Sequence, residues 1–213
     1  MLCLFLYLRK AAPMLDDEIK LTLDYYREKA QAFCDDTQDV DFSAFQLEFT
    51  SHLPKGGSIL DLGCGSGRDS KAFLNAGFQV TAVDGSEELC RIAGDFIGQP
   101  VLCATFQEYV PAESFDGIWA CASLLHIPFE DLPAVMARLA GSLNSGGCFY
   151  VSFKYGEFRG VRNGRFFQDM TEDSLGEILK HIPELEVVST KITGDVRLGR
   201  EKELWLNMLL KRV

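Results

Sequence analysis

Short apolar runs alternate with helix-period segments along most of this chain. Residues 58–62, 79–83, 101–103, 115–122 and 148–153 are compact apolar runs bounded by glycine, proline or acidic residues, and each predicts a strand. Between them the spacing predicts helices over 69–75, ended by Gly77, over 86–97, and over 130–143. Ser86 suits the N-cap of the second, with Glu87 and Glu88 in its first turn where acids favour the helix dipole. Strands separated by helices predict a parallel sheet covered on both faces. The run 115–122 lacks alternation, so that strand is expected to be buried on both sides. Upstream, Ile19, Leu23, Tyr26, Ala30 and Phe33 recur at helical spacing within 16–33. A polar linker at 35–39 and a short helix over about 42–52 follow, before Pro54-Lys55-Gly56-Gly57 breaks it. The tail reads as a helix over 172–181 and strands over 185–192 and 204–210.

The chain turns from its first strand into the following helix through Gly63-Cys64-Gly65-Ser66-Gly67. Glycines let the backbone turn sharply and leave no side chain between it and a ligand. The second strand ends in Asp84, 17 positions beyond Gly67, close to the spacing at which an acid reaches a ribose hydroxyl. A dinucleotide fingerprint needs glycine at the sixth loop position, where Arg68 stands, so a nicotinamide dehydrogenase is disfavoured.

With Asp61 two residues ahead, the loop resembles the Asp/Glu-x-Gly-x-Gly-x-Gly first motif of class I S-adenosylmethionine-dependent methyltransferases. The resemblance implies a Rossmann-like α/β fold: a seven-stranded, mostly parallel sheet, helices on both faces and an antiparallel hairpin at one edge. It implies S-adenosylmethionine as cofactor, held by Gly63, Cys64, Gly65, Gly67 and Arg68, with Asp61 meeting its α-ammonium directly or through water. Asp84-Gly85-Ser86 resembles the second motif, in which one carboxylate accepts both ribose hydroxyls. The third motif departs from the family: no acid follows the third strand until Glu108, so Thr105, Gln107 or a backbone carbonyl would meet the adenine amino group, with Phe106 against the ring. The stretch Trp119-Ala120-Cys121-Ala122-Ser123-Leu124-Leu125-His126 resembles the fourth motif. It implies Ala120 beside the cofactor and His126 near the transferred methyl, as a general base or as a packing or positioning residue. Cys121, read as lying inside an apolar strand, is not expected to be a nucleophile.

Many small members open with a tyrosine-rich helix that closes over the cofactor, which points to Tyr26 for the cofactor and Tyr25 for the substrate; simple packing of both rings on the sheet is the alternative. Lys154 ends the fifth strand and leads to Arg159, Arg162, Arg165, Phe166 and Phe167, where family members cover their substrate. Lys154 and Arg165 are the expected substrate contacts, and a cationic cover implies an anionic acceptor; a solvated loop with ordinary surface charge is the alternative. Gly-Ser-Gly-Arg-Asp-Ser and Ala-Ser-Leu-Leu-His are most similar to small bacterial methyltransferases of the tellurite-resistance-related group.

Composition narrows the partners. With 213 residues, 47% hydrophobic and 24% charged, one domain is expected at 14–213, with a helical cap over 14–53 and the Rossmann-like core over 54–213. Residues 1–13 read as an upstream start or a loosely attached extension. Their apolar stretch is too short to span a bilayer, and Arg9 and Lys10 follow it where a signal peptide would carry charge ahead. A net charge of −10 disfavours a nucleic-acid partner. Seven cysteines without a Cys-x-x-Cys pair point to a reducing cytoplasm, and three histidines without ligand spacing predict no metal. The reading is methyl transfer to a small molecule, anionic or a metalloid oxyanion. Its rivals are protein or tRNA methylation and a catalytically silent cofactor-binding module. Oligomeric state is not legible.

Overall fold

The structure, a computed structural model, describes residues 12–197, 199–200 and 202–213. Its strands are β1 (Ser58–Leu62), β2 (Gln79–Asp84), β3 (Leu102–Cys103), β4 (Phe115–Ala120), β5 (Leu143–Lys154), β6 (Arg159–Arg162), β7 (Arg165–Gln168), β8 (Leu185–Gly194) and β9 (Leu204–Arg212). Seven of them form one sheet in the order β3-β2-β1-β4-β5-β9-β8, with β6 and β7 as a separate hairpin. The first five pair in parallel, and β9 runs antiparallel to both β5 and β8. This is the expected Rossmann-like sheet with its antiparallel edge. Because β2 and β4 flank β1, the chain reverses its direction of winding there and leaves a crevice at the carboxyl ends of the strands.

Two apolar layers close the sheet. The unbroken run of β4 sends Ile118 into one, with Leu62, Phe149 and Met136, and Trp119 into the other, with Ile59, Phe73 and Phe49. Trp119 and Ile118 have no exposed surface. Trp119 stacks on Tyr150 with centroids 4.0 Å apart. Burying each such side chain stabilises the fold by about 1.5–3 kcal/mol. Helices α3 (Arg68–Asn75), α4 (Glu87–Ile97), α5 (Leu132–Gly141) and α6 (Glu172–Leu179) supply the covering faces.

Several boundaries differ from the sequence reading. Helix α1 covers Ala12–Thr37 and α2 covers Ser43–Thr50. Asp35 and Asp36, expected in a linker, lie exposed in the last turn of α1, which Thr37 closes by donating from Oγ1 to the Phe33 carbonyl at 2.7 Å. The expected boundary at 13/14 therefore falls within α1, and the rest of the expected extension, 1–11, lies outside the described residues. Strand β5 begins five residues early because Leu143 pairs with Phe115 before the register shifts to Cys148 opposite Gly117. The Gly146-Gly147 pair thus lies in a bulge inside a strand. The segment expected as a covering loop is the β6–β7 hairpin, reversed by Asn163 and Gly164 with φ of 51° and 78°. Two consecutive left-handed residues are what a two-residue hairpin turn requires.

Candidate functional site

A cavity of about 220 Å³ opens at the carboxyl ends of β1, β2, β4 and β5, walled by α1 on one side and by the β8–β9 end on the other. Its floor is the glycine loop. Gly63, Gly65 and Gly67 adopt φ of 77°, 56° and 78°. The loop is tied back by two amide N–H groups, from Gly63 and Cys64, which donate to the Val83 carbonyl at 2.8 and 3.0 Å. A Cβ at Gly63 would lie 2.4 Å from that of Ser123, so only glycine fits between the loop and the turn after β4.

Asp84 binds the same loop. Its Oδ2 accepts from the Gly65 N–H and its Oδ1 from the Ser86 N–H, both at 2.9 Å. Ser86 in turn caps α4, its Oγ accepting from the Leu89 N–H at 3.4 Å. Burial raises the Asp84 carboxyl above its ordinary range, and the backbone donors oppose that rise. Asp84 lines the cavity, as do Gly63, Cys64, Gly65, Arg68, Gly85, Thr105 and Phe106.

Other expected cofactor residues stand behind this wall. Asp61 is 2% exposed and accepts from the Ser70 hydroxyl at 2.6 Å, so it ties β1 to α3. Burial, with the nearby charge of Asp69, pushes its carboxyl up to about 8. Gly67 packs its backbone against Ile97 of α4, Ser86 serves as the cap, and Ala120 is fully buried in β4. None of these four lines the cavity. Arg68 does, with its guanidinium 4.6 Å from the centroid of Phe42 and paired twice to Asp69 at 2.8 Å. The Asp69 carboxylate also accepts from Gln46 Nε2 at 2.7 Å and Trp119 Nε1 at 2.8 Å, which anchors the loop arginine to the core.

The turn after β4 brings α1 and β7 together. Ala122 adopts φ of 52°, a strained conformation for a residue with a Cβ, and its N–H donates to Ser152 Oγ at 2.8 Å. His126 ends the short 3₁₀ turn Leu124–His126. One ring nitrogen, Nδ1, lies 2.6 Å from the Phe166 carbonyl oxygen, and Nε2 lies 2.9 Å from the Tyr26 hydroxyl. A carbonyl only accepts, so Nδ1 carries the hydrogen and Nε2 accepts from Tyr26. Arg165 donates from Nη1 to the same tyrosine oxygen at 3.1 Å, and the Phe166 N–H donates to Thr22 Oγ1 at 3.0 Å. Burial first, then the Arg165 charge, lowers the His126 imidazole to about 4. Tyr26, His126 and Arg165 all line the cavity, whereas Tyr25 lies outside it beneath the Arg165 guanidinium, at 4.4 Å.

Of the three arginines expected to form a cationic cover, Arg159 pairs with Glu130 at 2.7 Å and Arg162 with Asp169 at 2.5 Å. Only Arg165 reaches the cavity. Cys121, expected inside the fourth strand, follows it and lines the cavity; burial pushes its thiol up to about 12, which keeps it un-ionised. Lys154, an expected substrate contact, lines the far wall at the end of β5, but its neighbours there were not foreseen: Asp195, Arg197, Arg200, Trp205 and Asn207 from the β8–β9 end. In the sequence these look like ordinary strand and turn residues, and only the antiparallel pairing of β9 with β5 carries them to the crevice. Among the described residues no cluster of three or more His, Cys, Asp or Glu is arranged to hold a metal ion, and no helix is long and apolar enough to cross a membrane.

Residues 60–151 match the family profile described as methyltransferase domain. An uncharacterised methyltransferase of Alkaliphilus oremlandii is 26% identical over 200 residues, 90% of this chain and 86% of that protein. The ubiquinone biosynthesis O-methyltransferase of Xanthomonas axonopodis pv. citri is 32% identical over 116 residues, 50% of this chain. That match takes in 48% of the relative, so the chain spans about half the length of the ubiquinone enzyme it resembles. Among solved structures, Burkholderia thailandensis 1,6-didemethyltoxoflavin-N1-methyltransferase superimposes with a TM-score of 0.73 at 22% identity, covering 96% of this chain and 92% of that one. Residues 60–151 therefore match a methyltransferase domain, and the fold is that of the Burkholderia enzyme, whose structure holds S-adenosylhomocysteine, the demethylated form of the cofactor S-adenosylmethionine. The residues present fit that cofactor: left-handed glycines clear the floor, a buried carboxylate ends β2, and Leu89 and Phe106 give an apolar wall.

Proposed function

We propose that this chain, whose residues 60–151 match a methyltransferase domain, methylates an anionic small molecule with S-adenosylmethionine. The observation that carries the anionic part is the charge of the cavity wall. Five cationic side chains line it, Arg68, Lys154, Arg165, Arg197 and Arg200, against three carboxylates, Asp69, Asp84 and Asp195. Arg165 and Arg200 have no ion-pair partner among the described residues, on a chain of net charge −10. A local surplus of positive charge in an acidic protein concentrates an anion at that spot.

In this reading Asp84 and the glycine loop hold the ribose and amino-acid parts of the cofactor, and Phe106 with Leu89 flanks its adenine. When bound, S-adenosylmethionine supplies a methyl group on a sulfonium, and the C–S electron pair returns to sulfur as the acceptor lone pair bonds to carbon. The chain aligns the two reactants and excludes water from between them. His126 is neutral, weakly basic and already engaged by Tyr26, so it contributes by fixing Tyr26 and, through it, Arg165. An acceptor that arrives ionised needs no proton removed. The resemblance to the tellurite-resistance-related group extends the candidate acceptors to metalloid oxyanions.

The experiment is transfer of labelled methyl from S-adenosylmethionine to a panel of small acids, metalloid oxyanions and their neutral analogues. Turnover confined to anions, with a Michaelis constant that rises with salt, supports the proposal. Turnover of neutral analogues at equal rates refutes the anionic assignment.

A further inference from the structure

Beyond this reading, and resting on it, we infer that Trp205 is the stacking platform of the acceptor site and that the acceptor is a flat aromatic anion. Trp205 is the second residue of β9. Residues 206–210 of that strand are buried, and Trp205 is the point at which β9 leaves the core, part of its ring on the apolar layer and part on the cavity wall. In register it stands between Lys154 of β5 and Thr193 of β8, both of which also line the cavity. It is therefore on the β5–β9 side of the crevice, opposite the β1–β2 side that carries Asp84 and the glycine loop.

The plane of this indole is fixed before any ligand arrives. Its Nε1–H donates to Asp195 Oδ2 at 3.0 Å. Asp195 is held by Arg197 through the backbone N–H and Nε, each at 2.9 Å, and by Nη2 at 2.5 Å. Lys154 Nζ lies 4.9 Å from the ring centroid. A rigid aromatic face costs a ligand no ordering and favours a second ring in offset or edge contact. Charge selection comes from the same corner. Lys154 pairs with Glu203, and the two side chains are 15% and 40% exposed. The lysine is thus held inside while the glutamate sits at the rim, where it can turn to water and leave the ammonium to a ligand anion. A ring on Trp205 with an acidic group toward Lys154 satisfies both features; a saturated ring or a neutral group satisfies one.

The test uses the full chain saturated with S-adenosylhomocysteine and three matched probes: 3,4-dihydroxybenzoate, its amide, and 3,4-dihydroxycyclohexanecarboxylate. The protein has two tryptophans, and Trp119 is fully buried, so quenching of fluorescence by a probe reports on Trp205. The aromatic acid is expected to quench, and the other two probes to bind at least about tenfold more weakly, the scale of one aromatic or charged contact. By calorimetry, Trp205→Leu should lose about tenfold affinity for the aromatic acid while Trp205→Phe stays within about threefold, with S-adenosylhomocysteine affinity unchanged in both. Equal binding of the saturated acid or the amide, no binding of any probe, or full affinity in Trp205→Leu would overturn the inference. Should Trp205→Leu not fold, the ranking of the three probes on the unaltered chain decides it. Failure of that chain to bind S-adenosylhomocysteine at all would instead overturn the methyltransferase reading.

Discussion

The Tyr26 hydroxyl donates to His126 Nε2 across 2.9 Å, joining α1 to the turn after β4 over 100 positions of sequence. The bond occupies the one lone pair through which a neutral imidazole takes a proton. The two side chains therefore act as a unit that holds α1 against the cavity.

Substitutions within that unit should be non-additive. Tyr26→Phe and His126→Ala are each expected to lower kcat about tenfold or less, with the double variant no slower than the worse single one. With the imidazole held near 4, no limb near 6.5 should appear in the pH–rate profile. A His126→Ala loss of 10²–10⁴-fold beside an intact Tyr26→Phe would make His126 the general base.

Asp84 holds the loop and, as proposed, the cofactor ribose, so an isosteric change should separate charge from shape. Both carboxylate oxygens accept backbone N–H groups, and in Asp84→Asn the amide nitrogen must face one of those donors. Calorimetry should show S-adenosylhomocysteine binding weakened by roughly 2–4 kcal/mol, together with a lower melting temperature, since hydrogen bonds to a charged group contribute about 1.5–3 kcal/mol each. Undiminished binding would confine Asp84 to holding the loop. Binding of NAD at micromolar affinity would contradict the cofactor assignment.

Local patterns made the β1–β2 side of the cavity legible. Gly63, Gly65 and Asp84 lie within one βαβ unit, where spacing in sequence fixes spacing in space. The rest of the far wall was hidden because Trp205 lies 51 positions from Lys154, the residue there that the sequence did point to, and meets it only through an antiparallel pairing that no local pattern encodes. Asn163-Gly164 did carry a hairpin signal, and the surrounding arginines drew the reading toward a cationic covering loop instead. Asp61 shows the converse: the motif placed it correctly before the loop, but the direction of a strand side chain decides whether it meets the cavity or α3, and here Ser70 takes it.

Asp61 should also leave a mark on the pH dependence of stability. Its carboxyl is raised from 3.8 to about 8, so the folded state retains a proton that the unfolded chain loses. The stabilisation is complete below pH 3.8 and is lost as pH rises toward 8, at no more than about 1.4 kcal/mol per unit. Asp61→Asn keeps the neutral form, so its stability relative to the unaltered chain should rise across pH 4–8 in urea melts. A constant difference would mean that Asp61 is ionised throughout. Because Asp61 does not line the cavity, S-adenosylhomocysteine affinity should fall less in this variant than in Asp84→Asn.

Two glycines of similar conformation separate backbone strain from close approach. Gly63 and Gly77 have φ of 77° and 88°. At Gly77 a Cβ meets nothing within 4 Å, whereas at Gly63 it lies 2.4 Å from the Ser123 Cβ and 3.2 Å from the Phe106 ring. Gly77→Ala should therefore cost only the left-handed penalty of about 1–2 kcal/mol and leave cofactor binding intact. Gly63→Ala must in addition push the glycine loop away from the Ser123 turn, so it should lose S-adenosylhomocysteine binding even where circular dichroism still reports a folded sheet. Equal effects of the two substitutions on binding would mean that the turn after β4 yields to the added methyl, and that the fit between loop and turn does not shape the cofactor floor.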